Sequence, residues 1–313
     1  MIMNKNRLIS SFLLLLTAVV WGTSFVSQSE GMEHMGALTF MSARNLLGTV
    51  VLLPVIAFKR LRVPKSERKP LPVKATILGG LCCGLALTAA SLLQQYGIGM
   101  TTVGKSGFIT ALYIIFTPIL GIIIGKKPPK VVWLGAVLAA AGFYLLCING
   151  EKFELGMGDL LTLMCAIMFA VHIMIIDRFS PQTDGVVLSC IQFFVAFIIC
   201  TAGALIFEQP SWQQLCDGAV SVMYAGVLSS GVGYTLQIVG QKNMNPTVAA
   251  LILSLESVVA TVAGFVAYKI GLLSADQSMS AKQIIGCAIV FSAVIIVQIP
   301  WEKIFKKEKQ AEK

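Results

Sequence analysis

Two ionisable side chains lie deep inside apolar runs of this sequence, and their types could do chemistry there. Glu256 is ten residues into the apolar stretch 246–268, ~15 Å along a helix axis at 1.5 Å per residue. A carboxylate at that depth is expensive. It is either a proton carrier or partner for a cationic group, or a structural hydrogen-bonding group facing a neighbouring helix. Arg44 is eight residues into the stretch 36–58, ~12 Å deep by the same rise. A buried guanidinium needs an acceptor, which a substrate carboxylate, Glu256 or backbone carbonyls could supply; snorkelling is the alternative. Asn45 points from another helical face and is not grouped with it. Neutral polar and aromatic residues at comparable depth are Trp21, Gln94, Gln95, Tyr113, Tyr234 and Gln237. They either bond a polar ligand or join helices. Trp21 would form an aromatic wall or belong to an interface belt. Lys105 would line an outer vestibule, bind an anion or snorkel, and His172 reads as a satisfied structural residue. The candidates for substrate binding or coupling are therefore Glu256, Arg44, Trp21, Gln94, Tyr113 and Tyr234. No catalytic residue, metal site or cofactor is expected.

These residues must be positioned by membrane helices. Of the 313 residues, 56% are hydrophobic and 12% charged, against about 25% charged in a soluble domain. That excludes an ordinary soluble enzyme, a disordered chain and a fibrous one. Apolar windows of ~20 residues fall at 8–27, 36–58, 75–97, 103–124, 130–149, 157–176, 186–207, 217–240, 246–268 and 281–300. The fold class expected is all-α integral membrane, with ten transmembrane helices. The first run, behind Lys5 and Arg7, resembles a signal peptide but has no convincing cleavage site, so it reads as a retained span. Seven of the eight cysteines fall in apolar stretches and Cys216 in a polar connection, a pattern of small apolar filler. Gly80 with Gly84, Ala136 with Ala140 and Ala260 with Gly264 are each spaced for close helix approach. Pro118 is expected to bend the fourth span.

The net charge of +9 is explained by topology, not by nucleic acid. With the N-terminus inside, the connection 59–74 carries Lys59, Arg60, Arg62, Lys65, Arg68, Lys69 and Lys74. Lys126, Lys127, Lys130, Arg178, Lys242 and the tail lysines from Lys303 follow on the same side. Only Lys152, Lys269 and Lys282 fall outside. Both termini are therefore expected in the cytoplasm and the protein in the plasma (inner) membrane. The connection 59–74 is a plain topology signal or, with Pro64, Pro70 and Pro72, a tether against anionic lipid.

A repeat orders the spans. At an offset of 148, Ala18 meets Ala166, Trp21 meets Phe169, Gly22 meets Ala170, Phe25 meets Ile173 and Arg44 meets Gln192. At 151, Leu134-Gly135 meets Ile285-Gly286. Five spans are followed by five, and an odd number inverts the second copy, a recurrent plan for secondary transporters. The expected units are residues 1–150 and 151–313.

The stretch TTVGKSGFITALYIIFTPILGIIIGKKPPKVVWLGAVLAAAGFYLLCI at 101–148 carries a family likeness, as do AALILSLESVVATVAGFVAY from 249, WGTSF at 21–25 and GDLLTLMCAIMFAVH at 158–172. On these the sequence resembles the drug/metabolite transporter superfamily, and more closely its EamA-type permeases. The resemblance implies two inverted five-helix repeats, a central cavity and transport of small metabolites, often export of amino acids. The sequence departs from the family where Gly125-Lys126-Lys127 replaces a Gly-Glu ending, where Tyr268-Lys269 is followed by an insertion to Ser280, and where Leu255-Glu256-Ser257 replaces Leu-Glu-Pro. No GxxxxGK[ST], HExxH or GxSxG string occurs, so neither ATP drive nor hydrolysis has support. The expectation is a secondary transporter of a small organic metabolite, an amino acid or relative, working by alternating access and exporting it. Protons coupled through Glu256, or passive exchange, would drive it. A cationic-drug efflux carrier is the alternative, and a lipid-modifying enzyme or a channel is disfavoured.

Overall fold

The computed structural model describes residues 5–62, 72–125, 130–149, 152–153, 156–242, 244–274, 277 and 280–298. Lys65, Arg68, Lys69, Lys126, Lys127 and the tail lysines lie outside them, as do Pro64, Pro70 and the expected boundary residues 150 and 151. The described chain is a bundle of helices: α1 Lys5–His34, α2 Ala37–Arg62, α3 Val73–Ile98, α4 Val103–Thr110, α5 Tyr113–Ile123, α6 Lys130–Cys147, α7 Met157–Phe179 and α8 Gly185–Phe207. Short helices α9 Trp212–Asp217 and α10 Ala219–Met223 lead into a π-helical segment, Tyr224–Tyr234, then α11 Thr235–Gln241, α12 Pro246–Leu253, α13 Glu256–Lys269 and α14 Ala281–Gln298. Two-residue strands at Ile148–Asn149 and Lys152–Phe153 pair between α6 and α7.

Eight helical segments among the described residues are long and apolar enough to cross a membrane. They correspond to the first four and the sixth to ninth expected spans. At the fifth and tenth places stand shorter apolar stretches, Lys130–Gly142 and Ile284–Ala293. The spanning helices are apolar all round, as lipid-facing helices must be. In α1, Leu14, Ala18 and Phe25 are buried while Leu8, Phe12, Leu15 and Val19 are exposed. α1 also runs on to His34, beyond the expected end at 27.

The helix contacts repeat in a two-fold manner. α2 packs on α8, α6 on α14, and α4–α5 on α12–α13, each pair joining the two halves of the chain. The remaining large contacts come as partners: α3 with α7 and the π segment–α11 with α1; α3 with α8 and the π segment with α2; α1 with α13 and α7 with α4–α5. Small residues allow this. A Cβ on Gly80 or Gly84 would meet Ile191 or Val195 of α8, and one on Gly107 would stand 2.9 Å from Ala260.

The fourth and ninth spans share a second feature. Thr102 caps α4 and Asn245 caps α12, each with its own side chain. Eight residues later both helices tighten by one 3₁₀ step. Leu112 N–H donates to Ile109 O and Ile114 N–H to Ala111 O; Leu255 N–H donates to Ile252 O and Ser257 N–H to Ser254 O. The proline was expected to make the bend, but α5 continues through Pro118 and the irregularity lies before it. The matching step in the second half has Thr261 where the first has Pro118, so the proline is not its cause.

Polar pairs fix the helix ends. Lys105, expected to line a vestibule, bind an anion or snorkel, bonds the buried Asp159 at 2.6 Å, and Asp159 also accepts from Thr101 and from Gly156 N–H. Glu208 accepts from Leu38 N–H and Thr39 N–H at the start of α2. Asp184 caps α8 through Val186 N–H and takes Lys59 Nζ at 2.5 Å, tying the end of α2 to the start of α8. Burial pushes the Asp184 carboxyl up, but Lys59 and the two capping amides outweigh it and hold the group below its ordinary 3.8.

Two outcomes follow from this packing. A Cβ on Gly22 would stand 2.5 Å from Val259 Cβ and 2.6 Å from Glu256 O, on backbone that cannot swing aside. Gly22→Ala is expected to destabilise the protein by about 1–3 kcal/mol. Gly99→Ala, whose nearest neighbour is the flexible Met32 Cε at 3.3 Å, should change stability by less than about 0.5 kcal/mol. Thermal unfolding in detergent compares them, and equal melting temperatures would refute the close α1–α13 approach. Because the folded Asp184 carboxyl is held low, its contribution is full at neutral pH and lost as pH falls through and below the unfolded value of about 3.9. Asp184→Asn, which keeps a capping oxygen, should therefore be less stable than wild type at pH 7, with the gap closing as the pH falls below the unfolded value of about 3.9. Asp184→Ala should cost about 0.5–2 kcal/mol more than the Asn variant, through the lost cap. Equal stability of the two variants would remove the cap from the account.

Candidate functional site

A small cavity of about 20 Å3 lies inside the bundle, room for about one water-sized group. All six sequence candidates line it: Trp21 from α1, Arg44 from α2, Gln94 from α3, Tyr113 from α5, Tyr234 from the π segment and Glu256 from α13. Gln237 of α11 joins them, with Phe25, Gln28, Phe169, Ile173 and Ser229. Gln95 does not; its amide donates to Gln28 O at 3.0 Å.

Arg44 is 3% exposed. Its Nε donates to Ser230 Oγ at 3.2 Å and its Nη2 to Ser229 Oγ at 3.1 Å, with Met41 Sδ at 4.0 Å from Nη1. Those partners are neutral. Glu256, also 3% exposed, is not among the ion pairs of the described residues, and its Oε1 has no hydrogen-bond partner. Arg44 and Glu256 therefore share one cavity without pairing. Two buried charges of opposite sign ordinarily neutralise one another or neutralise something else.

The π segment explains how Arg44 is held. A π turn adds a residue per turn and frees backbone groups, and such turns are frequent at functional sites. The run YAGVLSSGVGY supplies small residues throughout. Gly226 approaches Leu47 and the carbonyl of Arg44, and Gly48 of α2 leaves room for Ser230. Both serines thus reach the guanidinium. On the other side, Trp21 Nε1 donates to Ser229 O at 3.4 Å and Thr17 Oγ1 to Gly233 O at 3.3 Å. Gly233 has no side chain where Trp21 passes, since a Cβ there would stand 2.7 Å from Nε1.

Aromatic rings form the wall. Trp21 and Tyr234 lie 4.4 Å apart at 50°, and Phe193 meets Tyr234 edge-on at 5.6 Å from behind. His172 stands behind the same ring at 6.1 Å, with Nε2 on Gln192 Oε1 at 3.0 Å. Gln192 is the sequence counterpart of Arg44, so the second half holds a neutral pair where the first holds a charge.

Tyr113 and Glu256 are the first residues after the two matching tightened turns. At an offset of 143, Tyr113 falls on Glu256, Thr102 on Asn245 and Gln94 on Gln237. Sequence reading missed this register, and with it Gln28, Ser229 and Ser230. The offset was available as a signal for Gln237. Nothing in a serine's type marked Ser229 and Ser230.

This chain is similar to several known proteins. The model of the EamA-like transporter family matches it twice, over residues 8–148 and 156–299. An uncharacterised transporter of Archaeoglobus fulgidus is 26% identical over 298 residues, covering 94% of this chain and 87% of its own. The threonine/homoserine exporter RhtA of Salmonella typhimurium is 23% identical over 269 residues, covering 83% and 81% respectively. A solved crystal structure superposes with a TM-score of 0.69 at 16% identity, over 93% of this chain and 98% of that one. It shares the fold. The twice-matched family model and the apolar helical bundle establish that this chain is a multi-pass membrane transporter, not an enzyme, and belongs to the EamA-like transporter family of the drug/metabolite transporter superfamily.

Proposed function

We propose that the protein is a secondary transporter that exports a small zwitterion, an amino acid or a close relative, by alternating access through the central cavity. The observation that carries this reading is the coexistence of Arg44 and Glu256 in one cavity with no ion pair between them. A ligand bearing both charges supplies the missing partner to each: its carboxylate accepts from the remaining guanidinium donors, and its ammonium meets Glu256. A purely cationic drug would satisfy Glu256 and face Arg44, which disfavours the efflux reading. The exporter RhtA, named for threonine and homoserine, is a relative consistent with this substrate class.

In this reading α6 and α14 are the fifth and tenth spans. Each is 18 residues long, ~27 Å at 1.5 Å per residue, close to the ~30 Å hydrocarbon core. Residues 1–150 and 151–313 are then the two repeats, inverted in the membrane, with both termini in the cytoplasm and the basic connections facing inward across the plasma membrane. The paired helix contacts and the two tightened turns support that symmetry. Glu256 carries a proton when no ammonium is present, which couples substrate export to proton entry.

Counterflow of labelled amino acids into proteoliposomes tests this. At least one amino acid should accumulate saturably, and Glu256→Gln should abolish accumulation. Arg44→Met should raise the half-saturation concentration about 30-fold or more, the cost of losing one partner of a buried charge pair. Failure of every amino acid to exchange would sink the substrate class, and full activity of both variants would sink the roles given to the two charges.

A further inference from the structure

Three buried oxygens on cavity-lining residues have no hydrogen-bond partner: Gln28 Oε1, Gln237 Oε1 and Glu256 Oε1. The residues are 3%, 1% and 3% exposed. The hydroxyl of Tyr113, also buried on the cavity wall, is set toward the Glu256 carboxyl and can donate to it. Unpartnered buried acceptors are costly, and these three line the cavity that holds Arg44. The other glutamine of the wall differs, since Gln94 Nε2 donates to Thr110 Oγ1 at 3.1 Å. A primary ammonium carries three N–H donors, as many as the unpartnered acceptors, and a positive charge opposite the one carboxylate among them.

We propose that Gln28, Gln237 and Glu256 form an ammonium subsite that selects primary amines over their N-methylated counterparts. This rests on the cavity being the transport site, and it adds a selectivity that charge alone does not give. Arg44 and Glu256 would accept a betaine as readily as an amino acid, because both carry the same two charges. The glutamine oxygens separate them. Each methyl group replaces one N–H donor with a carbon, so a trimethylammonium leaves all three acceptors unpaired while filling the space they face. The aromatic wall of Trp21, Phe25 and Tyr234 offsets part of that loss through cation–π attraction. A site built to bond an N–H rejects the analogue lacking it far more strongly than an apolar pocket rejects an extra methyl.

Thermal stabilisation of the purified full-length protein in detergent reads binding, first with the common amino acids and then with the N-methyl, N,N-dimethyl and N,N,N-trimethyl derivatives of the best stabiliser. The expected result is a stepwise loss of apparent affinity, reaching at least about 100-fold for the trimethyl compound. Gln28→Leu and Gln237→Leu should each shrink that ratio about tenfold. The wild-type series needs no variant to fold, so it tests the subsite alone. A trimethyl derivative that binds as tightly as the parent overturns the proposal, as does stabilisation by none of the compounds. Counterflow of the same compounds separates this from the transport reading. Amine-selective binding without counterflow leaves the subsite and removes the carrier. Equal counterflow of parent and betaine keeps the carrier and removes the subsite.

Discussion

An arginine buried in a membrane bundle and bonded to two serine hydroxyls and a methionine sulfur sets the demands that the surrounding helices meet. Hydrocarbon offers no water to share the charge, so each donor of Arg44 must find an acceptor within the protein or in a ligand. Ser229 and Ser230 take two of them. They reach because the eighth span winds as a π-helix at that level and because glycines on both sides let α2 and the π segment touch. Widening the turn frees carbonyls, and two of these in turn accept from Trp21 and Thr17 of α1. One charge thus accounts for a glycine- and serine-rich span, a rare helix type and the seating of the aromatic wall. Glu256 is left outside that network, beside Tyr113.

The helix packing shows a two-fold pattern around the cavity. Helices of the two halves meet in matched pairs, and the tightened turns of the fourth and ninth spans occupy equivalent places. The framework is symmetric, whereas the chemistry is not. Tyr113 stands where the other half has Glu256, and Gln192, bonded to His172, stands where the first half has Arg44. Each half contributes one charge, at non-equivalent positions, so the two lie in a common cavity instead of forming a symmetric pair. Divergence at these few positions makes the lining of the cavity asymmetric.

Much of this was legible in the sequence because hydrocarbon penalises polar atoms so heavily. Depth alone singled out Arg44, Glu256, Gln94, Tyr113, Tyr234 and Trp21, and all six line one cavity. The number of apolar windows came from the same penalty. What stayed hidden depends on geometry that hydropathy does not register. A 3₁₀ step changes one hydrogen bond and no residue type, so attention fell on Pro118 while the irregularity lay at Ala111–Leu112. Ser229 and Ser230 are ordinary in a membrane helix, and only the π winding aims both at Arg44. Lys105 looked like a lone cation because its partner, Asp159, is distant in sequence and sits at the start of the sixth span.

The unpartnered atoms carry the argument one step further. Stable membrane helices bond their polar side chains to one another or back to their own carbonyls, as Thr49, Thr88, Thr117 and Thr162 do here. Against that background, acceptors left open on Gln28, Gln237 and Glu256 are not needed for packing, since leucine or methionine would fill the same space without the desolvation cost. Nor do they serve Arg44, whose bonds are to two serine hydroxyls and a methionine sulfur. Open acceptors beside an open carboxylate describe the negative image of an ammonium group, and the guanidinium in the same cavity describes that of a carboxylate. The features that make the empty cavity costly are those that would make an occupied one selective, and a carrier that must release its cargo gains from a site whose empty form is not too comfortable.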